Sequence, residues 1–290
     1  MEIGILRSSF KSYGAKRILE EANKVGKGVK LDPRHLCLIL DKKLDGHSIY
    51  EKHLGAFDVV IPRFLTKYFD FGLLATQHIE NMGIPVVNSA AAIKTCKNKY
   101  LTSLALQRKR IPQPLSAIAL HSKDIMEVVK HLPKPLVFKA LEGSEGFGIT
   151  KISNDGDAKD WAQTFAGFHK PIYIQEFINH GGEDYRVVVV GGKIIACIKR
   201  VSKKGSWKTN FSQGNVAKLH KPDKEMQELA LKCTETVKTD VCGVDIAIDK
   251  EKGHLVIELN QFIGFKGTEK ATKKNVAREI VKLAVKKAKQ

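Results

Sequence analysis

Residues 243–264 read "GVDIAIDKEKGHLVIELNQFIG", and this stretch is the most informative in the chain. Two apolar runs, 243–249 and 254–260, predict two β-strands. The four residues between them, 250–253, are three charged residues and a glycine, which is typical of a turn between antiparallel strands. The pattern therefore predicts a β-hairpin that carries acidic residues.

The predicted hairpin brings acidic side chains together. A four-residue loop pairs position 249 with 254 and therefore pairs Asp245 with Glu258. Side chains alternate along a strand, so Asn260 shares their face. Opposed carboxylates repel each other, and a divalent cation between them removes the repulsion. Three oxygen ligands without sulfur or imidazole favour Mg²⁺ or Mn²⁺, whereas the alternative is an exposed polar strand face in another register.

A glycine-rich loop follows an earlier predicted strand. Residues 139–150 read "KALEGSEGFGIT", with a lysine directly before the loop. The loop lacks the Gly-Lys-Ser/Thr ending of a P-loop and the glycine order of a dinucleotide-binding turn. Together with the predicted metal site, it is typical of a flap whose backbone N–H groups close over phosphates, with Lys139 as their counter-charge. The alternative is an ordinary turn.

Two more segments are candidates for nucleotide contacts. Residues 172–178, "IYIQEFI", predict a strand whose backbone can match the edge of adenine, and residues 181–186, "GGEDYR", offer an acid for the ribose. Residues 199–215, "KRVSKKGSWKTNFSQGN", are basic and polar and favour a phosphate and carboxylate clamp. The alternatives are a core strand followed by a loop, and a solvated loop.

Composition narrows the class of protein. The chain has 290 residues, 43% hydrophobic and 28% charged, as expected of a globular protein with a real core. The net charge of +18 indicates either a solubilising surface or an anionic partner, such as nucleic acid, nucleotide phosphates or a polycarboxylate.

Cysteine usage and apolar runs bear on the compartment. The five cysteines are odd in number and contain no C-x-x-C pair, which argues against a disulfide framework and a cysteine zinc site. The first residues lack the pattern of a signal peptide, and no apolar run reaches the roughly 20 residues that span a bilayer. We therefore expect a soluble, cytoplasmic protein.

The order of apolar runs predicts the domain organisation. Within the first 88 residues, short apolar runs alternate with helical patterns, which predicts a small parallel sheet with strands at 2–6, 36–40, 57–62 and 84–88. Ser89 is then expected to cap one helix that reaches the prolines at 112 and 114. From residue 115 onward, short strands alternate with helices, and the glycines at 191 and 192 predict a hairpin turn.

These segments together resemble the ATP-grasp ligases, and most of all the RimK-like α-L-glutamate ligases. The resemblance covers nearly the whole chain and rests on Lys99, "KALEGSEGFGI", "IQEFI", "DYRVVVVGGKIIACIKR", "WKTNFSQG", "GVDI" and "IELN…GFKGTEKAT" in this order, with "FDVVIPR" and "NSAAAIKTCKNK" before them. It implies an α/β (α+β) ATP-grasp fold in which two α+β subdomains clamp ATP. The implied parts are an N-terminal parallel-sheet domain (1–90), a central subdomain with the flap (91–173) and a C-terminal subdomain with the metal site (174–290).

The resemblance also implies roles for individual residues. ATP phosphates would be bound by Lys99, Lys139 and Lys208, and covered by the flap Gly143, Ser144, Glu145, Gly146, Phe147 and Gly148. The adenine pocket would be lined by Gln175, Glu176, Phe177 and Ile178, with Glu183 or Asp184 near the ribose. Two Mg²⁺ ions would be held by Asp245, Glu258 and Asn260. The transferring phosphoryl group would face Arg186, Arg200 and Asn210.

The implied function is amide formation through an acyl phosphate, with L-glutamate added to an acidic acceptor such as a protein tail or a coenzyme polyglutamate tail. One alternative is a ligase for an amino-group carrier protein of lysine or arginine biosynthesis. Others are a basic nucleic-acid-binding protein and an ATP-binding scaffold without catalysis. We expect neither a membrane nor a nucleic acid substrate, and a dimer or tetramer stays open. Many family members carry Asn-x-x-Pro-Gly after the metal strand, whereas this chain reads "NQFIG" at 260–264, which puts the acceptor in question.

Overall fold

The computed structural model describes residues 1–40, 46–48, 53–141, 148–203, 207 and 216–290. A parallel sheet forms the first part of the chain, and two larger antiparallel sheets form the rest. The predicted mixed α/β architecture is therefore confirmed. None of the described helices combines the length and the apolar character that crossing a bilayer requires.

The N-terminal sheet is parallel and has the strand order β2-β1-β5. Its elements and their connections are β1 (Glu2–Leu6), α1 (Tyr13–Val25), β2 (Lys27–Leu31), β3 (Leu36–Leu38), β4 (Gly46–Ser48), β5 (Val59–Pro62) and α2 (Phe69–Asn81). Short 3-10 helices lie at Pro33–His35, Leu54–Ala56 and Thr66–Tyr68.

Two of the four strands predicted for the N-terminal parallel sheet are not strands of that sheet. The run at 36–40 gives only β3, which pairs antiparallel with β4 outside the parallel sheet. The run at 84–88 forms a single bridge between Val60 and Val86. The parallel sheet instead contains β2, whose sequence KGVKL includes two exposed lysines and a single buried residue, Leu31, on the edge of the sheet. An edge strand has only one covered side, so its sequence lacks the continuous apolar run of a buried strand.

The single helix predicted after Ser89 is two helices. Ser89 does cap the first, because its Oγ accepts a hydrogen bond from Ala92 N at 3.2 Å. Asn98 then has an extended backbone, and its side-chain oxygen accepts from Tyr100 N at 3.0 Å and Leu101 N at 3.1 Å. A second helix therefore begins with Asn98 as its N-cap. The bounds are α3 (Ala90–Lys97) and α4 (Lys99–Arg108).

The central sheet is antiparallel, with the order β6-β9-β7-β8. Its elements are β6 (Ser116–Ala119), α5 (Ser122–His131), β7 (Leu136–Ala140), β8 (Ile149–Ile152), α6 (Asp155–Gly167) and β9 (Ile172–Glu176). Phe138 packs with apolar residues of both helices on one face of this sheet. Since side chains alternate, its neighbour Lys139 lies on the opposite face.

The C-terminal sheet has the order β12-β11-β10-β13-β14. Its elements are β10 (Glu183–Val190), β11 (Lys193–Val201), β12 (Val216–Leu219), α7 (Lys224–Thr236), β13 (Val241–Asp249), β14 (Gly253–Asn260), α8 (Lys266–Thr272) and α9 (Val276–Lys287). The predicted turn at Gly191 and Gly192 is confirmed, since both have positive φ and Val190 pairs with Lys193.

One core connects the N-terminal sheet to the C-terminal part. Ile280 and Val281 of α9 are buried together with Ile3 of β1 and Ile18 of α1. Val188 and Val241 of the C-terminal sheet belong to the same cluster. The carboxyl ends of β1 and β5 are thereby held against the loop that follows β14.

Candidate active site

The predicted pairing of Asp245 with Glu258 is confirmed, although the register at the turn is not the predicted one. Asp249 pairs with Gly253, one residue away from the partner expected from the loop length. A β-bulge then places Ile257 as an extra residue and brings Asp245 opposite Glu258. With the observed turn register and no bulge, Asp245 would face Ile257. The bulge shifts the pairing by one residue, so that Asp245 faces Glu258 as predicted.

Asp245 is buried and held by two arginines. Arg186 donates from Nε to Oδ1 and from Nη2 to Oδ2, each at 2.7 Å, and Arg200 Nη2 lies 3.0 Å from Oδ2. Burial raises the pKa of the carboxyl, but the charges of Arg186 and Arg200 outweigh it and hold the pKa below its usual range. Guanidinium groups thus relieve the repulsion between the opposed carboxylates in this structure.

Arg200 also holds a second carboxylate. Its Nε and Nη2 donate to the two oxygens of Asp184 at 2.6 and 2.5 Å. Burial alone would lower the pKa of Arg200, but Asp245 and Asp184 raise it above its ordinary value. The four side chains form a balanced group of two cations and two anions, which we call the arginine–carboxylate group: Arg186, Arg200, Asp184 and Asp245.

The donor set at this end of the hairpin fits a hard cation. Asn260 Nδ2 donates to Asp245 Oδ2 at 3.1 Å, which leaves the amide oxygen of Asn260 available to a ligand. Glu258 is only partly buried, and its Oε1 lies 3.3 Å from Lys99 Nζ. A cation would share Asp245 with the arginines and take oxygens from Glu258 and Asn260, with phosphate and water for the rest. Within the described ranges, no cluster of three or more His, Cys, Asp or Glu side chains has the arrangement of a metal site.

Lys139 is a buried cation whose hydrogen-bond partner is neutral. The side chain is 7% exposed, and its Nζ donates to Gln175 Oε1 at 2.5 Å. Burial lowers the pKa of the ammonium to about 8, while nearby Glu258 raises it and Lys99 lowers it. An anion at this place would remove part of the desolvation cost. Lys99, the first residue of α4, reaches the same cleft.

The cleft between the two antiparallel sheets is open to solvent. Of the predicted site residues, the structure brings together ten along its walls: Lys99, Lys139, Gln175, Glu176, Phe177, Ile178, Asp184, Arg200, Asp245 and Glu258. Arg186 and Asn260 lie directly behind, bonded to Asp245. Gly148 has a positive φ of 68° at the start of β8, where its carbonyl accepts from Ala140 N.

Glu176 is a structural anchor as well as a wall residue. Its Oε1 accepts from Leu115 N at 2.9 Å, and its Oε2 lies 2.5 Å from Lys252 Nζ. These contacts tie the end of β9 to β6 and to the turn of the β13–β14 hairpin. Its carboxylate is therefore engaged on both sides.

The two acids predicted for the ribose separate onto opposite faces of β10. Asp184 lines the cleft in its bond to Arg200, whereas Glu183 pairs with Lys199 Nζ at 2.6 Å and is absent from the cleft wall that the described residues form. Seven other predicted residues lie outside the described residues: Gly143, Ser144, Glu145, Gly146, Phe147, Lys208 and Asn210.

Among the described residues, sequence reasoning missed six that line the cleft: Val137, Ile149, His180, Trp207, Ala247 and Ile257. Val137 is two residues before Lys139, so strand alternation could have found it. Ile257 could not have been found, because only the bulge directs it into the cleft next to Glu258. His180 is partly buried, and burial lowers its pKa.

Comparisons with known proteins agree with this architecture. Residues 1–93 match the family model described as the RimK PreATP-grasp domain, and residues 96–284 match the RimK-like ATP-grasp domain. A protein of Legionella pneumophila (strain Corby), named a probable alpha-L-glutamate ligase, is 33% identical over 293 residues, covering 100% of this chain and 97% of the relative.

Solved structures share the fold at low sequence identity. The RimK domain ATP-grasp protein of Sphaerobacter thermophilus has a TM-score of 0.75 and 17% identity, covering 98% of this chain and 100% of that chain. The ATP-grasp ligase PsnB, complexed with a phosphomimetic variant of its minimal precursor, Mg and ADP, has a TM-score of 0.74 and 16% identity, covering 98% of both chains. The ATP-grasp fold implied by the sequence is therefore confirmed.

Proposed function

Since the chain belongs to the RimK-like ATP-grasp family, we propose that it is an ATP-dependent ligase that joins a carboxylate to an amine. The amine is that of L-glutamate, and the acceptor is an acidic or glutamate-terminated molecule, either a protein C-terminus or a coenzyme polyglutamate tail. The name of the Legionella relative supports glutamate, and the minimal precursor in the PsnB complex supports a peptide-like acceptor.

The observation that carries the proposal is the buried ammonium of Lys139. Its hydrogen-bond partner is the neutral amide of Gln175, and its low pKa reflects the cost of burying a charge there. Lys99 lines the same cleft and pairs with Glu258, while the other acids of the wall pair with Arg200 or Lys252. The ammonium of Lys139 is therefore the charge that an anionic ligand would balance, and the phosphates of ATP have this charge.

The proposed chemistry uses no enzyme nucleophile. An oxygen of the acceptor carboxylate attacks the γ-phosphorus of ATP, the bond to the bridging oxygen breaks, and ADP leaves. The amine nitrogen of glutamate then attacks the acyl carbon, inorganic phosphate leaves with the bonding electrons, and the nitrogen loses a proton to solvent. The contribution of the protein is position, charge and exclusion of water.

Each residue group has a proposed part in these steps. Lys99 and Lys139 hold the phosphates, and Gln175 keeps the Lys139 ammonium in place through its 2.5 Å hydrogen bond. Arg200, fixed between Asp184 and Asp245, shares its charge with the transferring phosphoryl group. Arg186 positions Asp245.

The metal-binding residues complete the site. Asp245, Glu258 and Asn260 would hold Mg²⁺ or Mn²⁺, two ions in all, and the bound metal would neutralise phosphate charge during transfer. The two hydrogen bonds from Arg186 fix the orientation of the Asp245 carboxylate. The amide of Asn260 is oriented in the same way by its bond to Asp245.

The test is ADP release with Mg·ATP and L-glutamate, screened over acidic peptides, polyglutamates and carrier proteins, with product masses read out. We expect ADP release that depends on the acceptor and a mass gain of one or more glutamyl residues. Lys139→Ala should raise the KM for ATP about 100-fold through loss of charged hydrogen bonds. Lys130→Ala, which changes an exposed lysine of α5, is the matched control and should behave like the wild type.

Two results would contradict the proposal. One is the absence of acceptor-dependent ADP release with every acceptor tested. The other is steeply salt-dependent nucleic-acid binding without any turnover, which would favour the basic surface as the functional feature. A mass gain on a carrier protein alone would instead narrow the acceptor to that class.

A further inference from the structure

A second group of arginines has no acidic partner among the described residues. Arg63 follows β5, is 6% exposed, and forms no ion pair with a described carboxylate. Its Nη2 donates to the carbonyl of Ile263 at 2.7 Å, and its guanidinium lies 5.7 Å from the centre of the Phe265 ring. Arg7, after β1, donates from Nη1 to the carbonyl of Arg63 at 2.7 Å. The hydrogen bonds of these two positive charges among the described residues therefore go to neutral carbonyl groups.

Burial makes this arrangement costly. Burial is the main cause and the charge of Arg7 the lesser cause that together lower the pKa of Arg63 to about 9. Burial also lowers the pKa of Arg7. A buried cation without a counter-ion is disfavoured unless a ligand completes it.

Unsatisfied polar atoms occur on Arg63 and on segments that adjoin its neighbours along the chain. Four buried side-chain atoms of the described residues have no hydrogen-bond partner, and three of them are Arg63 Nε, Ser8 Oγ and Thr268 Oγ1. Ser8 directly follows Arg7, and Thr268 lies in α8, three residues after Phe265. Buried polar groups in proteins nearly always find a partner, so three exceptions in adjoining segments call for a common explanation.

The acids on neighbouring elements are already engaged. Asp32 pairs with Arg34, whose Nη2 also donates to the carbonyl of Ser8. Glu269 accepts from Tyr13 Oη at 2.6 Å and from Ala277 N at 3.2 Å. Neither neutralises Arg63 in this structure.

The region adjoins the candidate active site. A Cβ built at Gly243 would lie 2.7 Å from Ile263 Cγ2 and 3.3 Å from Arg186 Cδ. Gly243 pairs with Asn260 in the hairpin. Ile263 therefore links the two places: its carbonyl accepts a hydrogen bond from Arg63, and its side chain lies beside Gly243, as does Arg186 of the arginine–carboxylate group.

We infer that Arg63, with Arg7, Ser8 and Thr268, forms a carboxylate-binding subsite, and that its ligand is a carboxylate of the amino-acid substrate. This inference rests on the proposed function, in which L-glutamate must present its amine at the arginine–carboxylate group. A carboxylate on the far side of Ile263 would accept from the free N–H of Arg63 and from the hydroxyl groups. The substrate would thus be fixed at both ends.

The test titrates the full-length protein, loaded with Mg·ADP, with L-glutamate, and compares Arg63→Met and Arg63→Lys with the wild type. Arg278→Met removes one charge from an exposed position on α9 and is the matched control. We expect Arg63→Met to weaken glutamate binding about 10- to 100-fold, Arg63→Lys to weaken it less, and both to bind ADP within twofold of the wild type. The melting temperature of Arg63→Met should not fall, since an unpaired buried charge is removed.

The probes identify the carboxylate. L-glutamine lacks the γ-carboxylate and L-isoglutamine lacks the free α-carboxylate, so the amide whose binding Arg63→Met leaves unchanged reveals which group Arg63 holds. An unchanged affinity for glutamate in Arg63→Met, or weakened binding of a tri-glutamate peptide only, overturns the assignment. A lower melting temperature with unchanged affinity indicates a purely structural Arg63 and also overturns it. The titration needs no turnover, so it decides the inference even if no ligase activity is found.

Discussion

Two buried arginines, Arg200 in the arginine–carboxylate group and Arg63 beside Ile263, have opposite electrostatic surroundings. Arg200 lies between Asp184 and Asp245, and these acids raise its pKa. Arg63 has a carbonyl oxygen and an aromatic ring as neighbours, and burial lowers its pKa to about 9. The contrast indicates that the first site is complete in its own side chains, whereas the second, like Lys139 in the cleft, lacks an anion.

Removal of the Asp245 charge would leave the arginine–carboxylate group with two cations and one anion, and we expect it to have the largest effect on activity. Asp245→Asn should lower kcat/KM for ATP by about 100- to 1,000-fold, because both arginines lose a charged partner and the metal loses a ligand. The free energy of unfolding should fall by about 3 kcal/mol, since two buried cations are left with one acid. Steady-state kinetics and urea denaturation measure the two effects.

Asp160→Asn, on the exposed side of α6, is the control for the loss of one negative charge. Equal kinetics in Asp245→Asn and Asp160→Asn would remove Asp245 from the catalytic site. A stable but inactive Asp245→Asn would mean that the arginines do not need this acid for folding.

The pH dependence of kcat/KM for ATP tests whether the Lys139 ammonium binds the phosphates of ATP. Its pKa of about 8 in the free protein means that the ammonium is present below pH 8 and is lost as the pH rises through that value. We expect kcat/KM for ATP to fall towards tenfold per pH unit above about pH 8, because the neutral amine attracts phosphate less. The profile measured from about pH 6 to 10 with saturating acceptor tests this.

Lys139→Arg should move the fall to higher pH, since a guanidinium stays charged throughout the range. A profile that stays flat over the whole range in the wild-type protein would show that Lys139 does not carry the phosphate charge. An unchanged profile in Lys139→Arg would assign the titration to another group.

The smallest expected effect is a difference in the KM for ATP between variants of the two acids predicted near the ribose, Asp184 and Glu183. Asp184→Asn should raise the KM for ATP about tenfold, because it loosens Arg200 in the cleft wall. Glu183→Gln loses only an ion pair with Lys199 near the surface and should change the KM by less than about twofold. The reverse order, measured by the same ADP-release kinetics, would assign the ribose contact to Glu183.

The hairpin shows how much of the site the sequence could predict. Counting residues across a turn paired Asp245 with Glu258, and strand alternation put Asn260 on the same face. The count gave the right pair although it predicted the wrong register at the turn, because a β-bulge between the turn and Asp245 offsets that error by one residue. The sequence pattern did not indicate the bulge. Local rules therefore predicted which side chains share a face of the hairpin, but not the β-bulge that determines their pairing.

Contacts between distant segments were beyond such rules. Arg63 directly follows a predicted apolar strand and had no local feature that indicated burial. Its surroundings come from Ile263 and Phe265, about 200 positions further along the chain. The roles assigned to Arg186 and Arg200 remain predictions, while their bonds to Asp245 explain how the strands hold them.

The extra residue in β14 also has a consequence for how this hairpin can vary. Without Ile257, the turn register observed at Asp249 and Gly253 would continue, and the glutamate would still face Asp245. The bulge is therefore an insertion that the carboxylate pair tolerates, and its effect is to add an apolar side chain to the cleft beside an acidic one. Insertion or deletion of one residue at position 257 can therefore change the shape of the cleft wall while Asp245 and Glu258 stay paired.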